Sequence, residues 1–137
     1  MARFLYFPSI IFVPSINKNN MTQKKEFMLL FRFEPNSQYQ PTEAELKEMH
    51  QFWGSFIGNL AIQEKLVSTH QLGFEGIQIM PNKEKTEGIY ISNNQTIGGN
   101  LIVRANTLEE AAELALDCPI LMMGGTVEVR NITPMEN

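Results

Sequence analysis

The sequence predicts an α+β fold of strand, helix, two strands, helix and strand, with an antiparallel sheet carrying both helices on one face. Three observations predict it. The stretch from Glu26 to Phe33 is apolar at alternating positions, the period of a strand. Thr42 and Thr107 each stand three residues ahead of a glutamate, Glu45 and Glu110, at the head of an apolar-periodic segment. Two glycine pairs, Gly98-Gly99 and Gly124-Gly125, frame a strand-helix-strand ending.

In the first strand Phe27, Leu29, Phe31 and Phe33 share one parity, and Met28 and Leu30 the other. Both faces are apolar, so the strand is expected to be covered on both sides. Glu34-Pro35-Asn36-Ser37 breaks it. The first helix is expected over Thr42 to Gln63, with Leu46, Met49, Trp53, Phe56, Ile57 and Leu60 forming one apolar stripe. Gly54 and Gly58 leave a smooth flank beside that stripe, fitted to close backbone packing.

Leu66 to Ile79 reads as one long strand whose parity switches around Gly76, the mark of a bulge or bend. Pro81 to Lys85 is a polar turn. Gly88 to Ser92 reads as a short strand, and Asn93-Asn94 turns it into the strand Ile97 to Ala105 to make a hairpin. The second helix is expected to turn Leu108, Ala111, Ala112 and Ala115 inward and to end near Cys118-Pro119. The last strand, Thr126 to Ile132, alternates Val127 and Val129 with Glu128 and Arg130.

This order is the split βαβ arrangement of ferredoxin-like folds. Two helices cover only one face of such a sheet, so the apolar second face of the first strand needs another cover. The simplest is the same face of a second copy, giving an isologous, face-to-face homodimer through the open sheet face.

Size and charge narrow the function classes. The 137 residues form one domain, residues 22–137, preceded by an extension, residues 1–21, of doubtful status. In that extension Pro8 and Pro14 interrupt the apolar runs, and no small-residue cleavage site follows, which argues against a secretory leader and a membrane span. Met21 as the true start, or an arm of two short strands on a neighbouring surface, accounts for it, and the first is favoured. The net charge of -4 and the lack of a basic run longer than Lys24-Lys25 argue against a nucleic-acid surface. The single cysteine, Cys118, excludes an intramolecular disulfide and fits a reducing, cytoplasmic compartment. One cysteine and two distant histidines offer no metal-ligand spacing, and no cofactor motif is read.

Few residues carry candidate chemistry. His70 shares its parity with Leu72 and Phe74, which places it on a covered sheet surface. With an acid partner it would serve as a general base; a hydrogen-bonded core or interface histidine is the plainer reading. His50 lies on the edge of the helical stripe, facing a cleft or water. Trp53 and Tyr90 are candidates to line an apolar pocket, although Trp53 falls squarely in the stripe and suits core packing. Arg104 offers a planar fork to a carboxylate, and a cross-strand ion pair with Glu128 explains it equally well. Cys118 follows a helix C-terminus, where the dipole disfavours a thiolate, and Met122-Met123 reads as adaptable packing.

Taken together, Lys25 to Phe31, Gly98-Gly99 with the Leu101 to Ala105 strand, Thr107 to Ala111, Asp117-Cys118-Pro119 and Gly124 to Arg130 resemble the YCII-related, or DGPF-type, domain family. The resemblance spans residues 25 to 132. It implies a ferredoxin-like fold assembled face to face as a dimeric α+β barrel, a plan also found in muconolactone isomerase-like enzymes and small monooxygenases. The Asp-Gly-Pro-Phe motif of that branch stands here as Glu87-Gly88-Ile89-Tyr90, which makes Glu87 the acid that the resemblance marks for function. Enzyme-like members pair a histidine on the first helix with an acid on the following hairpin; that histidine position falls nearer Trp53 than His50 here.

Three functional readings follow, in this order. The first is a homodimer that binds a small apolar or aromatic carboxylate. The second is a cofactor-independent isomerase- or lyase-like enzyme using a histidine-acid pair, with His70, Glu87 and His50 as candidates. The third is a purely structural interaction module.

Overall fold

The computed structural model describes residues 24–36 and 38–135; the expected extension, residues 1–21, lies outside them. Strand β1 (Lys25–Phe33) leads to helix α1 (Glu43–Ile62) and strand β2 (Leu66–Gln71). A small pair, β3 (Ile77–Ile79) and β4 (Lys85–Glu87), precedes the long strand β5 (Thr96–Ala105). Helix α2 (Leu108–Ala115), a 3-10 turn (Pro119–Met123) and strand β6 (Thr126–Asn131) complete the chain.

The main sheet has the order β2-β5-β1-β6, and every neighbouring pair is antiparallel. With the small hairpin set aside, this is the ferredoxin-like β-α-β-β-α-β topology. Phe27, Leu29, Phe31 and Phe33 of β1 and Leu101 and Val103 of β5 are buried on one face with Trp53, Phe56, Ile57 and Leu60 of α1 and Ala111 and Ala115 of α2. Both helices therefore cover the same face. The other face carries Met28, Leu30 and Ile102, all half-buried, beside the more polar His70, Asn100 and Glu128.

Local chemistry explains the helix ends. Thr42 and Glu45 form the full capping box: the Glu45 amide donates to Thr42 Oγ1 (3.1 Å) and the Thr42 amide to Glu45 Oε1 (2.8 Å). At α2 the Glu110 amide donates to Thr107 Oγ1 (3.1 Å), while the Glu110 carboxylate accepts from Asn106 Nδ2 (3.2 Å).

The glycine pairs have distinct jobs. Phe31 faces Gly99 and Arg32 faces Ile97, so Gly98 is the extra residue of a β-bulge. Gly124 ends the 3-10 turn at φ +82°, and a Cβ on Gly125 would lie 2.5 Å from the Arg32 carbonyl oxygen.

Several expectations need correction. The strand expected over Leu66 to Ile79 stops at Gln71, because Phe74 folds back onto Phe33 (ring centroids 5.8 Å apart) and takes the chain off the sheet. The bulge in this region lies between Leu66 and Ser68, and the bulge or bend expected around Gly76 is the break in the chain between β2 and β3. The strand expected over Gly88 to Ser92 is displaced to Lys85–Glu87, since Gly88 adopts φ +104° and ends it. What remains of the expected hairpin is one bridge, Ser92 to Gln95, closed around Asn93 and Asn94, both at positive φ. On α2 Ala111 and Ala115 are buried and Leu114 packs half-buried against the core, whereas Leu108 and Ala112, expected on the inner face, are exposed. Finally, a Cβ at Gly58 would meet no atom of another element within 4 Å among the described residues, so no close backbone packing there uses that position.

Candidate functional site

The hairpin that leaves the main sheet after Gln71 is pinned at its base. The Gly88 amide donates to the Gly76 carbonyl (2.8 Å), and Gln78 Nε2 donates to the Gly88 carbonyl (3.3 Å). Thr96 Oγ1, buried at the start of β5, donates to the Tyr90 carbonyl (2.7 Å). Ile89 lies so close to Gly76 that a Cβ there would sit 2.8 Å from Ile89 Cγ2. These contacts hold Glu87-Gly88-Ile89-Tyr90 in a fixed path, and the φ of Gly88 gives a physical reason for glycine at that place.

Between this hairpin and the adjoining ends of β1 and β5 lies a cleft of about 600 Å³. Leu72, Ile77, Ile89 and Ile97 give it apolar walls, Gln78 and Gln95 add amides, and Arg32 supplies a cation. Arg32 Nη1 donates to Glu128 Oε1 at 2.6 Å, with the two side chains 33% and 45% exposed. In the single chain a pair that wet is worth little, roughly 0–1 kcal/mol, so with that face uncovered a ligand carboxylate competes with Glu128 at small cost. Glu75 is the acid that borders the same cleft.

The expected site residues are scattered. His70 stands on the open sheet face and is exposed in the single chain; β2 ends before Leu72 and Phe74 can share its face. Its Nδ1 lies 3.2 Å from Asn100 Oδ1, the residue opposite it in register. Glu87 is exposed at the end of β4, opposite Ile77, and no hydrogen bond or ion pair joins it to His70 among the described residues. His50 is half-buried on α1.

Trp53 is 0% exposed and packs edge-on against Phe31 (5.4 Å) and Phe56 (6.1 Å), so it belongs to the core and lines no cleft. Tyr90, by contrast, stands exposed on the rim of the hairpin cleft. Arg104 is 8% exposed, and its Nε and Nη1 have no hydrogen-bond partner among the described residues. The ion pair expected with Glu128 does not form. Arg104 of β5 faces Glu26 of β1, and β1 separates it from β6, where Glu128 lies opposite Leu30 and pairs with Arg32.

Arg32 and the two glutamines were missed by sequence reasoning. Arg32 did leave a signal, as the one charge within the apolar run Phe27 to Phe33. Cys118 is buried, and burial pushes its thiol up to about 12. Among the described residues, no group of three or more His, Cys, Asp or Glu is placed to hold a metal ion, and no helix is long and apolar enough to cross a membrane.

A four-stranded antiparallel sheet, two helices on one face and a hairpin cleft at one end define a small α+β domain of the ferredoxin-like class. The chain belongs to the YCII-related domain family, whose profile matches residues 26–136. A search of curated proteins finds no match.

Proposed function

We propose that the protein is a small-molecule-binding homodimer whose hairpin cleft takes a compound with a carboxylate and an apolar or aromatic body. The observation that carries this reading is Arg32. It is a guanidinium at the edge of an apolar cleft of about 600 Å³, tied to a half-exposed carboxylate that a ligand can replace. Ligand sites of about 300–1,000 Å³ commonly combine apolar walls with a few polar groups that set orientation. Arg32 takes the carboxylate, Gln78 and Gln95 the remaining polar groups, and Tyr90 closes the rim.

Homodimerisation through the open sheet face rests on two features. Met28, Leu30 and Ile102 form an apolar strip there, and Arg104 is buried on the same side with two guanidinium nitrogens lacking partners. A second copy would cover the strip and offer polar groups to Arg104. A cytoplasmic location goes with this reading, on the single cysteine of the sequence. Proton-transfer catalysis is less well supported, since the ring of His70 meets the amide of Asn100 and not a carboxylate.

The test is a thermal-shift screen of aromatic and branched aliphatic carboxylates against their primary amides, on the wild type and on Arg32→Gln. Carboxylates should raise the melting temperature of the wild type alone. Equal shifts by acids and amides, or shifts that survive Arg32→Gln, would sink the assignment.

A further inference from the structure

A second cleft lies on the other side of Gln95, between the first turns of α1, the end of β1 and the 3-10 turn, with a volume of about 550 Å³. It exists because the apolar stripe of α1 runs past the edge of the sheet. Trp53, Phe56, Ile57 and Leu60 are buried, whereas Met49 and Leu46, one and two turns earlier, are only half-covered. Phe52 and Met122 complete an apolar wall that faces water, Met122 being 64% exposed. Methionine makes such a wall adaptable, and its sulfur adds favourable contacts to an aromatic body.

The charge around this wall has one sign. Glu34, Glu45 and Glu48 border the cleft, and no lysine, arginine or histidine does among its described lining residues. The start of α1 would ordinarily attract an anion, but its cap is already filled by Thr42 and the Glu45 carboxylate. That carboxylate accepts from the Thr42 amide and from the Tyr39 hydroxyl, which hold it below the usual range and keep it ionised at neutral pH.

We propose that this cleft is a binding site for a small organic cation, a protonated or quaternary amine carried on an aromatic or alkyl body. Charge decides between occupants. An anion would meet three carboxylates, and a neutral apolar group would strip water from them without compensation. An ammonium head among Glu34, Glu45 and Glu48 keeps them paired, and Tyr39 and Phe52, which line the same cleft, are aromatic groups of the kind that attract a cation. The apolar body then covers Met49 and Met122. This site is independent of the hairpin cleft, which has the opposite charge preference.

The experiment compares three probes that share one body: phenethylamine, 2-phenylethanol and phenylacetate, titrated at pH 7 into the 15N-labelled full chain. Phenethylammonium should shift amide resonances of residues 39–52 and 119–124. The alcohol should bind there roughly tenfold more weakly, as expected for loss of two or three solvent-exposed charge contacts. Phenylacetate should leave those resonances unmoved. Glu48→Gln, which replaces an exposed residue outside the helix cap, should weaken phenethylammonium several-fold at an unchanged melting temperature. Arg32→Gln should leave that affinity intact, which separates this site from the hairpin cleft. Equal binding of amine and alcohol, an unchanged affinity in both Glu48→Gln and Glu34→Gln, or no shift of these residues up to about 10 mM amine would overturn the proposal.

Discussion

Gly125→Ala tests how the end of β1 that carries Arg32 is held. The new Cβ would sit 2.5 Å from the Arg32 carbonyl oxygen and 2.6 Å from Ile120 Cγ1. Carbon–oxygen contacts normally settle near 3.3 Å and carbon–carbon contacts near 3.5 Å, so about 0.8–0.9 Å must be found on each side. Neither side yields easily. The oxygen belongs to a backbone paired with β6, and Ile120 is fully buried. Retreat of Gly125 would also stretch its own hydrogen bond to the Ile120 carbonyl, now 3.0 Å.

Overpacking of this kind costs about 1–3 kcal/mol and a weakened hydrogen bond about 1 more, so a loss of roughly 3 kcal/mol is expected. For a domain of this size, that lowers the melting temperature by about 10 °C. Gly76→Ala is the matched control. Its Cβ would approach Ile89 Cγ2 at 2.8 Å, a half-buried side-chain end that can turn aside, so the cost should be nearer 1 kcal/mol. Urea unfolding followed by circular dichroism measures both. A Gly125→Ala protein within about 0.5 kcal/mol of the wild type, or one less damaged than Gly76→Ala, would refute the reasoning.

Thr96→Val removes the hydroxyl that donates to the Tyr90 carbonyl at 2.7 Å; it should cost about 1–2 kcal/mol and speed amide exchange across residues 88–91, and unchanged exchange there would contradict the pinned hairpin. Leu30→Glu places a charge in the middle of the open sheet face, so sedimentation at micromolar concentration should show a dimer for the wild type and a monomer for the variant; a wild-type monomer would end the dimer reading. Burial raises the Cys118 thiol from 9.0 to about 12, so the native protein should resist iodoacetamide at pH 8 and react only as it unfolds. Because the folded value lies above the unfolded one, the stability from this buried thiol is intact below pH 9 and declines as pH rises from 9 towards 12. Rapid native labelling at pH 8, or a flat stability profile through that window, would count against it.

Much of the scaffold was legible because its signals are local. The capping box at Thr42 and the stripe of α1 need only neighbours along the chain, and both helices start where expected. Elements settled by distant contacts were not legible. Ile77 and Ile79 alternate like a sheet strand, yet Phe74 reaching Phe33 decides that they leave the main sheet. The candidate chemistry fared worse for the same reason. His70 finds an amide partner 30 residues away, and Arg32 finds Glu128 at a separation of 96 residues. The glycine of Glu87-Gly88-Ile89-Tyr90 was visible as a motif, but its positive φ and its anchors at Gly76, Gln78 and Thr96 were not.

The most direct test of the functional reading is the binding site of one aromatic carboxylate, mapped by amide resonances and quantified by calorimetry on the wild type and Arg32→Gln. Phenylacetate should shift residues 72–78, 88–97 and Arg32. Its affinity should fall about tenfold or more in the variant, the usual worth of one charge-assisted contact. Shifts confined to other surfaces, or an affinity indifferent to Arg32, would contradict the account.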